Sequence, residues 1–228
     1  MSYERFYPNG WQSGETGDTP ITPEALNHIE EGIMASAPAG YGLGEGGKGS
    51  SDLNNETTGG WYSFSSGCAN APFSYGVALV LRRYRDDIVQ IAFDTYRAGN
   101  GAGEICVRRY TDAWQPWEYL NPPMRAGTEY RTLERHLGKP VYIKMVNIGA
   151  FPNSTSKNVS HGIPSTASFV SFEAFAQSTT SSIVQQLPII STSGDTTAKV
   201  QLTHTYVSVY TFGDLSAYEG WAVIKYTK

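Results

Sequence analysis

Apolar residues recur along this chain at two different spacings. Leu26, Ile29 and Ile33 stand three and four apart, one narrow helical stripe, and Glu24, Asn27, Glu30 and Glu31 stay off it. Thr22-Pro23-Glu24 opens that stretch as a helix start. Thr22 can accept from an orphan N–H, Pro23 suits the first helical position, and Glu24 complements the positive helix end. Ile21 and Leu26 are placed as a hydrophobic staple. The spacing predicts a helix over 22–36, about four turns long. A stripe this thin leaves an isolated helix marginal. Leu26, Ile29 and Ile33 are therefore expected to seal a short parallel bundle with copies of the same helix, the alternative being packing onto their own domain.

Beyond residue 51 the spacing changes to strands. Trp61–Ser66, Val77–Tyr84, Ile88–Tyr96 and Ile105–Tyr110 read as strands, with Arg85-Asp86-Asp87 and the Asn100-Gly101 pair as hairpin turns. Trp114–Tyr119 closes this block before Asn121-Pro122-Pro123. In the next block Val141, Ile143 and Met145 alternate with Tyr142, Lys144 and Val146. Ile183–Ile190, Lys199–Thr205, Tyr206–Phe212 and Trp221–Tyr226 read as further strands, with turns at Ser193-Gly194-Asp195 and Gly213-Asp214. The expected fold is mainly β: a short N-terminal helix in a trimeric bundle, a small β module, and a C-terminal antiparallel, jelly-roll-like sandwich. The expected domains are an N-terminal attachment segment and helix (1–36), a glycine-rich hinge (37–51), the small module (52–123) and the sandwich (124–228).

Composition narrows the functions. Charged residues make up 17% and net charge is −4, so nothing marks a nucleic-acid or anionic-lipid partner. Arg82, Arg83 and Arg85 are the densest basic cluster, but beside Asp86 and Asp87 they read as a solvated turn. The G-x-G-x-x-G of Gly42, Gly44 and Gly47 has no strand before it and no helix after it, so it makes no phosphate cradle. Cys68 and Cys106 are too few for a disulfide framework and read as free thiols in a reducing cytoplasm, the alternative being that the fold brings them within reach of each other to pair. No signal peptide or membrane span is evident, so no membrane insertion is expected.

With those elements in place, a resemblance emerges. The segment from Trp11 through Thr22-Pro23-Glu24-Ala25-Leu26-Asn27-His28-Ile29-Glu30-Glu31-Gly32-Ile33 resembles N-terminal segments of phage tail and baseplate-associated proteins. Asp52-Leu53-Asn54, Gly60-Trp61-Tyr62, Ser65-Ser66-Gly67, Ala71-Pro72, Val89-Gln90-Ile91 and Arg108/Arg109 before Trp114 and Trp117 resemble the pyocin knob module of phage tail fibres. Gly138-Lys139-Pro140-Val141-Tyr142, Val159-Ser160-His161-Gly162-Ile163 and Tyr226-Thr227-Lys228 are similar to C-terminal domains of phage tail proteins. The resemblance implies a homotrimeric virion component. It would attach to a tail or baseplate protein through its N-terminus, assemble in the bacterial cytoplasm and meet a bacterial surface glycan. The alternatives are a structural virion part, such as a head fibre or baseplate spacer, and a glycan depolymerase.

Catalytic machinery is not legible. His28, His136, His161 and His204 stand in no zinc motif, no cofactor is implied, and no G-x-S-x-G elbow exists. His204 is expected inside a strand. His161 is expected at a hydrogen-bonded turn or at the trimer interface, where three imidazoles could meet. For glycan, aromatic planes that stack on sugar rings and loops with orienting amides are the natural candidates. These are Trp61, Tyr75, Trp114, Trp117 and Tyr119 in the small module, and Asn153, Asn158 and Tyr218 in exposed loops of the sandwich.

Overall fold

The computed structural model describes residues 22–36, 48–84, 86–96, 103–190 and 196–228. The Ile21 staple, Arg85, most of the hinge, the Asn100-Gly101 hairpin and the Ser193-Gly194-Asp195 turn lie outside them. Among the described residues the chain is mainly β with one helix, and it divides into two compact units. Met1–Gly103 and Arg108–Gln115 form the first; Glu104–Val107 and Pro116–Lys228 form the second. The division runs through strand β5 (Ile105–Thr111).

In the first unit, helix α1 (Pro23–Ser36) starts where its cap dictates. Thr22 Oγ1 accepts the Ala25 N–H at 3.2 Å, and Thr22 O accepts the Leu26 N–H at 3.0 Å. Glu24 is held below the usual carboxylate range by its backbone hydrogen bond and by Thr22. Leu26 and Ile29 are 50% and 37% exposed, so among the described residues this part of the seam is uncovered. Ile33 lies in the helix, but its side chain is outside the described residues.

Strand β1 (Lys48–Asp52) then runs parallel to β2 (Gly60–Ala69), Lys48 facing Tyr62 and Ser50 facing Phe64. This corrects the hinge, whose last residues are strand: pairing with a neighbour supplies backbone hydrogen bonds that outweigh poor intrinsic propensity. β3 (Gly76–Tyr84) and β4 (Asp87–Asp94) continue as antiparallel hairpins. Tyr62, Phe64, Ala78, Val80, Ile88 and Ala92 fill the buried face, and Gln90 stands among them fully buried. Arg82 and Arg83 are exposed at the β3–β4 turn, as a solvated turn requires. The closing segment Trp114–Tyr119 carries two short strands: β6 (Ala113–Trp114) pairs with the end of β5, and β7 (Glu118–Tyr119) with its beginning. Pro116, which has no N–H to give a ladder, separates them.

The second unit is an antiparallel sandwich. One sheet contains β8 (Glu129–His136), β9 (Lys139–Ala150), β16 (Tyr218–Thr227), β11 (Ser168–Ser178) and β12 (Val184–Gln186), side by side in that order. The other runs β10 (Ser156–Ser160), β15 (Tyr206–Thr211), β14 (Thr196–Leu202) and β13 (Ile189–Ile190). The outer pairs, β9 with β16 and β10 with β15, nest as in a jelly roll; the inner strands are joined as local hairpins. Ile148, Ala174, Ala176, Val207, Val209, Ala222, Ile224 and Tyr226 make one core between the sheets. Two expectations change here. Ile183–Ile190 is not one strand but β12 and β13 in different sheets, broken at Pro188, which cannot donate to a ladder. His204 is not inside a strand but in the turn between β14 and β15, where Thr203 Oγ1 takes the Tyr206 N–H at 2.9 Å.

Candidate functional site

The site takes shape along β9. Alternation sends Tyr142, Lys144 and Val146 to the face that carries Ile224 and Ala222 of β16, so a lysine occupies a position otherwise given to core residues. Half-buried, Lys144 extends past the end of the core into an open cleft of about 430 Å³. One wall is the Ala126-Gly127 segment, tethered beside β9 by the Gly127 N–H to Met145 O bond of 2.8 Å. The opposite wall is Ser160, His161 and Gly162 at the end of β10, and Val146 and Val159 supply an apolar floor.

His161 builds that wall. It is 2% exposed, with Nδ1 accepting the Ile163 N–H at 3.0 Å and Nε2 3.1 Å from Thr203 O. With Nδ1 an acceptor, the proton sits on Nε2, and both ring nitrogens are in use. The ring also stands edge-on to Phe169 at 5.7 Å. Within one chain, both ring nitrogens hold the turn that follows β10. Gly162 adopts φ +60°, and a Cβ there would come within 3.4 Å of Lys144 Nζ. Glycine thus permits both the left-handed turn and the close approach of the ammonium.

The polar groups facing the cleft are largely uncommitted. Among the described residues, Lys144 Nζ and Ser160 Oγ make no hydrogen bond. Asn147 Oδ1 takes the Gly149 N–H at 2.8 Å, which leaves the amide Nδ2 free to donate. None of the lining residues is acidic. A second cleft, about 500 Å³ along Gln177–Ser182 and Glu219, is hydroxyl-rich. There, however, Ser178 Oγ already takes the Thr180 and Ser181 N–H groups, and Thr179 Oγ1 donates to Ala217 O.

The predicted glycan residues are divided between the two units. In the first unit Trp61 is half-buried against Phe93, and Trp114 is committed: its Nε1–H donates to Asn54 O at 3.0 Å while Arg108 lies 4.3 Å over the ring. Tyr75 is 39% exposed and stacks on Tyr96 at 5.3 Å, an aromatic surface open to solvent. In the second unit Trp117 is half-buried, and Tyr119 packs edge-on to Tyr130 with burial pushing its hydroxyl pKa up. Tyr218 packs against the sandwich core. Asn153 is exposed and bridges to Asp214, and Asn158 is exposed on β10 rather than in a loop. The cleft residues Lys144, Asn147 and Ser160 were not among the predicted site residues. The signal was a lone lysine inside the apolar alternation from Val141 to Ile148.

No family model matches the chain, and no curated protein does either. Three solved structures are similar to it. An N-truncated R2-type pyocin tail fibre is 12% identical with a TM-score of 0.26, over 79% of this chain and 95% of that one. A C-terminal part of the R1 pyocin fibre of P. aeruginosa is 14% identical with a TM-score of 0.28, over 78% and 66% of the two chains. A C-terminal part of the R2 pyocin fibre of the same species is 12% identical with a TM-score of 0.29, over 84% and 69%. Overlaps this low assign no activity to the present chain.

Proposed function

We propose that this chain is a non-enzymatic, homotrimeric fibre protein of a phage or phage-like particle, which adheres to a glycan on the host surface. The observation that carries the reading is the cleft beside β9: an apolar floor ringed by uncommitted hydrogen-bond donors, on a rigid sandwich. Such a surface suits the C–H face and hydroxyls of a sugar. Hydrolysis of a glycosidic bond ordinarily takes two carboxyl groups across the bond, and the cleft's lining offers none, so the reading is adhesion. The uncovered seam of Leu26 and Ile29 is the surface through which three copies would meet, and three clefts on one shaft would raise avidity without new contacts.

Light scattering tests the assembly. The full chain is expected at three times its 24.9 kDa mass, and Leu26→Asp with Ile29→Asp is expected to give single chains. A wild-type monomer would remove the fibre reading. Adhesion of the fluorescently labelled trimer to bacterial cells, competed by polysaccharide extracted from those cells, tests the glycan. Adhesion that polysaccharide leaves unchanged would point to a protein receptor instead.

A further inference from the structure

We infer, resting on the adhesion reading, that the cleft beside β9 takes the acidic substituent of a saccharide, a carboxylate or a phosphate, with Lys144 as its counter-ion. Lys144 lacks the partner that its register offers. Across the β8–β9 ladder it stands directly opposite Glu129, where a cross-strand ion pair would normally form. Glu129 is engaged elsewhere: one carboxylate oxygen takes Lys228 Nζ at 2.5 Å and the other takes the Tyr226 hydroxyl. On its other side Lys144 faces Ile224. Among the described residues the ammonium therefore lies half-buried with neither an ion pair nor a hydrogen bond.

A partly desolvated charge without a partner is costly to hold, and an anion entering beside it gains more than it would at an open surface. The surrounding groups say what kind of anion. Asn147 Nδ2 and Ser160 Oγ can donate to further oxygens, whereas Val146 and Val159 offer nothing to a bare ion and suit the apolar face of a ring. The absence of acidic lining residues keeps the cleft attractive to negative charge. A single cation on a chain of net charge −4 does not make a track for nucleic acid.

The test uses the full chain, titrated by ligand-observed NMR with methyl glucuronide, glucose 6-phosphate, neutral methyl glucoside and inorganic phosphate. The acidic sugars are expected to bind at least tenfold more tightly than methyl glucoside and more tightly than phosphate alone, and to weaken as sodium chloride rises. Whichever of the two acidic sugars binds better identifies the substituent. Lys144→Gln should lose that tenfold advantage, Lys144→Arg should restore much of it, and Ser160→Ala should weaken binding about threefold. Lys144 makes no ion pair or hydrogen bond among the described residues, so the melting temperature of Lys144→Gln should be no lower than that of wild type, which separates lost binding from lost folding. Equal binding of acidic and neutral sugars, or an unaltered Lys144→Gln, overturns the inference. Tightest binding of inorganic phosphate overturns it as well. Cell adhesion measured in parallel keeps the two levels apart. Wild-type adhesion that survives Lys144→Gln rejects the acidic ligand but leaves adhesion standing, while wild-type protein that adheres to no cell rejects the adhesion reading itself.

Discussion

Gln90→Ala is expected to cost about 3–5 kcal/mol and to unfold the first unit at much lower urea than wild type. Gln90 is fully buried, yet it has no idle atom. Its Nε2 donates to Leu53 O and Glu56 O, both at 2.8 Å, and its Oε1 accepts Arg108 Nε at 2.9 Å. Arg108, 5% exposed, lies over Trp114, whose indole N–H reaches Asn54 O. Burial pushes the Arg108 guanidinium down to about 10 against the pull of Asp52, so it stays charged at neutral pH. Truncation would strand Glu56 O, leave Leu53 O with the long Glu56 N–H bond of 3.4 Å, take an acceptor from a buried cation and add a cavity. Urea unfolding followed by tryptophan fluorescence measures the loss. A shift under 1 kcal/mol would mean that water replaces the amide and that the network is not what holds residues 52–57.

The second large effect is expected at Gly220, near the start of β16. A Cβ there would stand 2.4 Å from Phe175 O and 2.6 Å from Phe151 Cε1. Phe175 O belongs to the neighbouring strand and cannot retreat without breaking the β11–β16 ladder, so Gly220→Ala is expected to cost about 3 kcal/mol. Gly213→Ala is the control, because nothing lies within 4 Å of its Cβ position. Thermal melts of both variants settle the comparison: a Gly220→Ala melt equal to that of Gly213→Ala would show that the sandwich opens to admit the methyl.

Local chemistry was the most legible part of the sequence. The Thr22 cap, the strands of β2 to β4 and the mainly β class follow from side chains near one another in the chain. Contacts between distant residues were not legible. Leu53, Asn54, Gln90, Arg108 and Trp114 read as separate motifs, yet hydrogen bonds and the stacking of Arg108 on Trp114 join them in one network. Periodicity alone carries a strand across Pro188, because it cannot show that the next residues join another sheet. Spacing shows Lys144 only as one member of the alternation from Val141 to Val146. Its interest comes from Glu129 being spent on Lys228 and Tyr226, a fact of folding that no spacing encodes.

The place of β16 has a consequence for biosynthesis. It lies between β9 and β11, both made well before it, and Ala222, Ile224 and Tyr226 are its wholly buried contribution to the core. During translation the β8–β9 hairpin and the β11–β12 hairpin emerge with bare apolar faces and no partner for their inner edges. The sheet can close only once β16 has left the ribosome. Until then those two open edges are the nascent chain's exposure to aggregation and to chaperones, and neighbouring chains on one polysome would present the same edges to each other.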